Sequence, residues 1–222
     1  MAAPENEREI AMRYLKILGL AAVAASVLMA LGAAGSASAT VLCKNNTTTE
    51  GCTAIYPIGT KLNVGLVTNG RWVLENKLKP GSIVDECQVS KFETETENQG
   101  KEGESVFASV EPAKYSFGTC SFPVEVTVGG KYEIEWTKGT DNGSIRLSNF
   151  RVRVNLELFS CIWKVVGEPV VGTVFGGAPA TISSTNVFLE RAAGEAFFCP
   201  EQVTMRAPYQ FNAPNPLYVA KR

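Results

Sequence analysis

The sequence predicts an all-β domain, an antiparallel β-sandwich or barrel-like fold, behind an N-terminal signal peptide. Three observations predict it. Past residue 40, apolar and polar side chains alternate with a period of two. No window there repeats every 3.6 residues over a helical length. The chain's 20 glycines and 11 prolines fall largely between the alternating runs. A period of two sends successive side chains to opposite faces of a strand. Many short strands separated by turn residues describe a sandwich or barrel.

The first element is a leader. Arg13 and Lys16 precede an apolar stretch, Ile17 to Gly35, whose only polar side chain is Ser26. Ala37-Ser38-Ala39 then puts small residues at the −3 and −1 positions of a signal-peptidase site. Residues 1–39 therefore read as a signal peptide, with Thr40 as the new N-terminus. Glu5, Glu7 and Glu9 oppose the basic character of such a start, whereas "MRYLK" from Met12 suits it, so residues 1–11 read as a mis-assigned beginning. The alternative is an uncleaved anchor over residues 17–35, because about 20 apolar residues span a bilayer. Its Ala and Gly content makes that insertion weak, and Leu42 before Cys43 argues against lipidation. Either way the globular part, residues 40–222, is expected to be secreted or on the cell-envelope exterior.

All six cysteines follow the leader. An even set in an exported chain reads as disulfides, and pairing is open on sequence alone. Neighbours in chain order give Cys43–Cys52, Cys87–Cys120 and Cys161–Cys199. The spacing contains no C-x-x-C and the chain has no histidine, so zinc is not the alternative.

The strands follow in order. "KLNVGLV" and "RWVLE" flank "TNG" at 68–70, which reads as a hairpin. "ETETENQGKEGES", residues 93–105, is an acidic loop. "PVEVTV" alternates, "VGG" turns, and "KYEIEW" points Tyr132, Ile134 and Trp136 inward. "KGTDNGS" supplies Asp-Asn-Gly for a hairpin to strand 144–159, which would bring Glu133 and Glu135 near Arg151 and Arg153. In "RVRVNLELF" the inward set is Val152, Val154, Leu156 and Leu158. "LERAAGEAF" is the nearest to a helix and Gly194 interrupts it. Leu217 to Ala220 form a closing edge strand after several prolines, an edge being where proline's missing N–H does no harm. A boundary near 110–114 would be crossed by the Cys87–Cys120 bridge, so residues 40–222 read as one secreted β-sandwich domain carrying the acidic loop.

Composition excludes several functions. Without histidine, imidazole-dependent nucleophile systems and nearly all zinc catalysis are closed to this chain. No glycine-rich loop opens a helix, so no nucleotide cofactor is expected. A net charge of −1 argues against nucleic acid, which is bound by neutralising phosphates. Carboxylates remain. Asp85 and Glu86 are strand neighbours on opposite faces, whereas Glu133 and Glu135 share one, about 7 Å apart. This leaves a carboxylate-dependent carbohydrate-active enzyme as the alternative to a non-catalytic role. Asp141 and Asn142 in "TDNGS" and the Glu93–Glu104 segment are weak calcium candidates lacking the spacing of a calcium loop, and no metal is assigned. Among the tryptophans, Trp136 shares a core face. Trp163 follows Cys161 by two residues, and Trp72 stands beside Arg71 after the "TNG" turn. Trp72 and Trp163 are the weak candidates for stacking a sugar ring, and core packing is their ordinary role.

"ATVLCKNNTTTEGC", the "GGAPATISS" stretch before Cys199-Pro200, and the closing "PLYVA" together resemble exported disulfide-containing β-domain proteins of soil bacteria that have no assigned activity. The resemblance spans most of residues 40–222. It implies a secreted β-rich domain and carries no catalytic residue. The expectation is a binding or structural role, with a polysaccharide or another envelope protein as partner, and membrane contact only through the N-terminal segment.

Overall fold

A computed structural model describes residues 39–46, 52–101, 103–184 and 186–222. The leader, the start at Met12 and the apolar span 17–35 lie outside the described residues, apart from Ala39. Alternation becomes strands throughout: β1 Thr40–Cys43, β2 Lys61–Leu66, β3 Trp72–Asn76, β4 Ile83–Thr96, β5 Val106–Ser109, β6 Tyr115–Cys120, β7 Val124–Val128, β8 Lys131–Trp136 and β9 Gly143–Ser148 come first. Then follow β10 Arg151–Asn155, β11 Ser160–Val165, β12 Val170–Phe175, β13 Thr181–Ser184, β14 Val187–Arg191, β15 Gln202–Arg206, β16 Tyr209–Ala213 and β17 Tyr218–Lys221. Among the described residues the one helical turn is the 3-10 segment Pro112–Lys114.

Every pairing is antiparallel. The order β2-β16-β13-β12-β9-β8-β5-β4 returns to β2, closing an eight-stranded barrel. Of the two arrangements expected, the barrel is the one formed. Closure removes free edges, which a flat sheet of short strands would leave exposed. From β4 a second series runs outward through β3, β15, β14, β11 and β10 to β7, and β6 covers the other edge of β4. Outside both, β1 pairs with β17, so the residues after the leader meet the C-terminal strand from Thr40↔Lys221 to Cys43↔Tyr218.

The 14-residue strand β4 is the member common to both parts. Its buried residues are Asp85 and Cys87 in the first half, then Ser90, Phe92 and Thr96 in the second. The phase changes at Gln88-Val89, two consecutive exposed residues. Register with β6 continues without a shift from Cys87↔Cys120 to Phe92↔Tyr115. Because a regular strand alternates faces, the first half is covered on one face and the second half on the other.

Phe92 centres the barrel interior. It stacks on Tyr132 at 5.3 Å and meets Tyr209 edge-on at 5.7 Å, geometries favoured by the ring quadrupole. The hydroxyls are paired: Tyr115 with Tyr132 at 2.9 Å, and Tyr209 with Ser90 at 2.7 Å. Burial raises all three tyrosine pKa values, so the hydroxyls keep their protons. A second centre is Trp163, fully buried, whose indole N–H donates to the Pro200 carbonyl at 2.9 Å.

The three disulfides are Cys43–Cys52, Cys87–Cys120 and Cys161–Cys199. The second joins directly opposed residues of β4 and β6.

Four local expectations are corrected. "TNG" is no hairpin: β2 and β3 both run antiparallel to β4 along one edge, and residues 67–71 bulge out between them. Strand 144–159 is broken at Asn149, which adopts a positive φ of 52°. Glu133 therefore stands opposite Arg146 rather than Arg151, while Arg153 pairs with Glu125 of β7. Leu158 lies beyond the end of β10 and is exposed, not inward. The acidic segment 93–105 begins as strand, since β4 continues to Thr96; the rest forms the connection to β5.

Candidate functional site

The interruption between β2 and β3 creates the main cleft. β2 ends its pairing with β4 at Gly65↔Lys91, and β3 begins at Trp72↔Cys87. Residues 88–90 of β4 consequently have a strand neighbour on the β6 side alone. Residues 67–70 leave the edge through a turn closed by the Gly70 N–H donating to the Val67 carbonyl at 2.8 Å, with Asn69 at a φ of 61°. Asparagine tolerates that left-handed conformation better than most residues. Gly70 has no room for a side chain: a Cβ would stand 2.9 Å from the Val67 oxygen and 3.0 Å from the Pro208 ring.

The far wall comes from β16. Its register against β2 shifts between Phe211 and Ala213, so Asn212 is the extra residue of a bulge. Gly65 lies beneath it, and a Cβ there would come within 2.9 Å of the Asn212 amide nitrogen. Gln210 Nε2 donates to Asn212 Oδ1 at 3.0 Å, fixing the side-chain amide's orientation. The resulting notch has a volume of about 520 Å³ and is lined by Asn69, Arg71, Gln88, Ser90, Lys91 and Asn212 among others.

Its charge is positive. Arg71 donates to Glu86 at 2.6 Å; Lys91 has no carboxylate partner among the described residues. Amide and ammonium groups line the space, and Val67 and Val89 supply apolar walls. Such a lining can hold a ligand bearing hydroxyls and negative charge.

The residues singled out from the sequence lie elsewhere. Trp72 and Trp163 are 1% and 0% exposed, so neither ring offers a face to a sugar; Trp72 packs edge-on against Phe117 at 5.3 Å. Arg71, one residue earlier, is the side chain that emerges. Trp136 is half-buried and donates to the Thr140 carbonyl. Asn142 uses its side-chain oxygen to accept from the Gly176 N–H at 3.1 Å, and the Asp141 carbonyl accepts from Val219. Both bind this turn to its neighbours, and the described residues hold no cluster of three metal-ligating side chains. Glu133 and Glu135 occupy one face of β8, opposite Arg146 and Ser144. Glu133 lines a shallow cleft of about 260 Å³ with Glu168 and Arg146.

Asp85 is the unusual carboxyl. It is buried, and its Oδ1 accepts from the N–H groups of Glu86 and Phe122 at 2.8 and 3.1 Å. Oδ2 has no partner. Burial raises its pKa above the usual carboxylate range, opposed by the backbone donors. It secures the turn after β6 and does not reach the notch.

Comparison with known protein families, curated proteins and solved structures finds no match for this chain. Among the described residues no helix is long and apolar enough to cross a membrane.

Proposed function

We propose that the protein is an exported, disulfide-braced β-barrel module that binds an acidic polysaccharide, without catalysis, in the notch beside β4. The observation carrying this reading is the convergence of Arg71 and Lys91 with the amides Asn69, Gln88 and Asn212 where β4 has a strand neighbour on one side alone. The three bridges support an oxidising, extracytoplasmic setting. Membership of the exported group resembled by its cysteine-bearing segments belongs to the same proposal. Saccharide hydroxyls suit the amides, and a uronate carboxylate suits the unpaired ammonium of Lys91. The non-catalytic reading draws on the absent imidazole and on Glu133 and Glu135 lying on an open strand face.

The test is calorimetry of the exported protein with oligogalacturonate against a neutral glucan of equal length. Acidic oligomers should bind in a salt-dependent way and neutral ones should not, with Lys91→Ala and Asn212→Ala each weakening binding about tenfold. Equal binding of the neutral glucan, or unchanged affinity in both variants, overturns the proposal. Release of reducing ends that disappears in Glu133→Gln/Glu135→Gln would replace it with hydrolysis.

A further inference from the structure

Two neighbouring loops carry apolar side chains that stand clear of the protein. Leu158 follows β10 and is 92% exposed; Phe197, between β14 and β15, is 88% exposed. Phe198 beside it is half exposed and lies 4.1 Å, centroid to centroid, from Phe159. Cys161–Cys199 ties the two loops together. None of these residues lines the polar notch.

We propose that this tip inserts into the outer hydrocarbon margin of a lipid bilayer with no net charge. The side chains fit that partner first. Leucine and phenylalanine offer no hydrogen-bonding atom, whereas protein interfaces concentrate their energy in Trp, Tyr and Arg, with Leu under-represented. The exposed apolar area, roughly 500 Å² from typical aromatic side-chain areas, is well below the ~800 Å² per partner of a standard protein interface. Lipid requires no matching pocket and accepts such knobs singly.

The backbone is the more specific observation. A carbonyl with no partner is disfavoured in hydrocarbon. Arg191 Nη1 lies 3.1, 3.0 and 2.8 Å from the carbonyl oxygens of Ala196, Phe197 and Cys199 and donates toward all three. The N–H groups of Glu195 and Cys199 donate to the carbonyls of Ala192 and Ala196. The loop bearing the most exposed phenylalanine thus satisfies much of its own main chain from within. The guanidinium and the bridge also hold it in one conformation, so insertion orders little that is not already ordered. Glu157, Glu195 and Glu201 flank the tip, and Arg191 meets the last at 3.8 Å. An acidic rim is repelled by anionic headgroups and tolerates zwitterionic ones.

The full chain as exported by its host is mixed with phosphatidylcholine vesicles. Phe197→Trp places an indole at the tip, and brominated lipids report its depth independently of any attachment through residues 17–35. The emission it adds should shift to the blue and be quenched by bromines near the glycerol level. Leu158→Ser/Phe197→Ser should reduce vesicle co-flotation about tenfold with an unchanged thermal midpoint, both positions being solvent-exposed. Unquenched, water-like emission overturns the proposal, as does equal flotation of the double variant. A tip that ignores vesicles yet captures a soluble protein overturns it too.

Discussion

The hydroxyl oxygen of Thr40 accepts a hydrogen bond from the backbone N–H of Trp136, 2.9 Å away and 96 residues further along the chain. Thr40 is almost wholly buried, and its own N–H donates to the Glu104 carbonyl at 3.0 Å. The residue expected to follow the signal peptide is therefore a member of the fold. Gly100 makes room for its main chain: a Cβ there would lie 2.0 Å from the Thr40 backbone carbonyl oxygen, at a φ of +63°. Thr40→Val keeps the shape and removes the acceptor, stranding the Trp136 N–H. It should cost about 1–3 kcal/mol in urea unfolding, while Thr40→Ser should recover most of that.

Asp85 makes stability depend on pH in the direction opposite to most carboxylates. Burial raises its pKa, so the folded chain holds a proton at pH values where the unfolded chain has released it. Stability from this group is greatest below the ordinary carboxylate pKa and falls as pH rises toward the raised value. Asp85→Asn preserves an oxygen for the Glu86 and Phe122 N–H groups and does not titrate. Compared with the parent, the variant should gain stability as pH rises from the ordinary carboxylate pKa toward the raised one, and keep that gain above it. Thermal midpoints across that range check it; a gap that is constant or reversed removes the cause assigned here.

The bridges differ in the chain they enclose. Cys161–Cys199 spans 38 residues and Cys43–Cys52 spans 9. If loop entropy of the unfolded chain dominates, removing the longer costs about 4 kcal/mol and the shorter about 3. Paired Cys→Ala variants should rank in that order by urea midpoint. The longer bridge also fixes the apolar tip, so its loss should lower vesicle co-flotation alongside stability.

Much of this architecture is legible in the sequence because alternation is local. "KYEIEW" and "RVRV" fix strand type and facing through their own residues, and cysteines adjacent in chain order are the ones that pair. Barrel closure is not local. It needs β2 to meet not only β4 but also β16, whose partner residues lie more than a hundred residues further along the chain. The same holds for the notch, whose Asn212 joins Gly65 and Gln88 through the bulge in β16. Trp72 takes the core role ordinary for it, because the turn exposes one of two consecutive residues and here it is Arg71. Leu158 keeps the alternation of "RVRVNLELF", yet β10 ends at Asn155. The phase change in "DECQVSKF" is also hidden: its buried set includes the polar Asp85 and Ser90 while the apolar Val89 is exposed, so residue type does not reveal a strand covered on both faces in turn.

That phase change makes a further prediction about Gln88. The position is exposed, so Gln88→Ala should alter stability by no more than about 0.5 kcal/mol. Deleting Gln88 is a different operation. It would place Asp85, Cys87, Ser90 and Phe92 on a single face of β4, although the two halves are covered on opposite faces. A one-residue slip sends each following side chain to the other side. Either Phe92 would leave the aromatic cluster it shares with Tyr132 and Tyr209, or Cys87 would turn away from Cys120. Loss of a buried phenylalanine's contacts alone costs about 3–5 kcal/mol. The deletion should therefore yield either a protein that no longer unfolds cooperatively or free thiols at Cys87 and Cys120, read by thermal melting and thiol titration. A deletion variant that melts like Gln88→Ala with all three bridges intact would show that β4 does not serve the two parts by opposite faces.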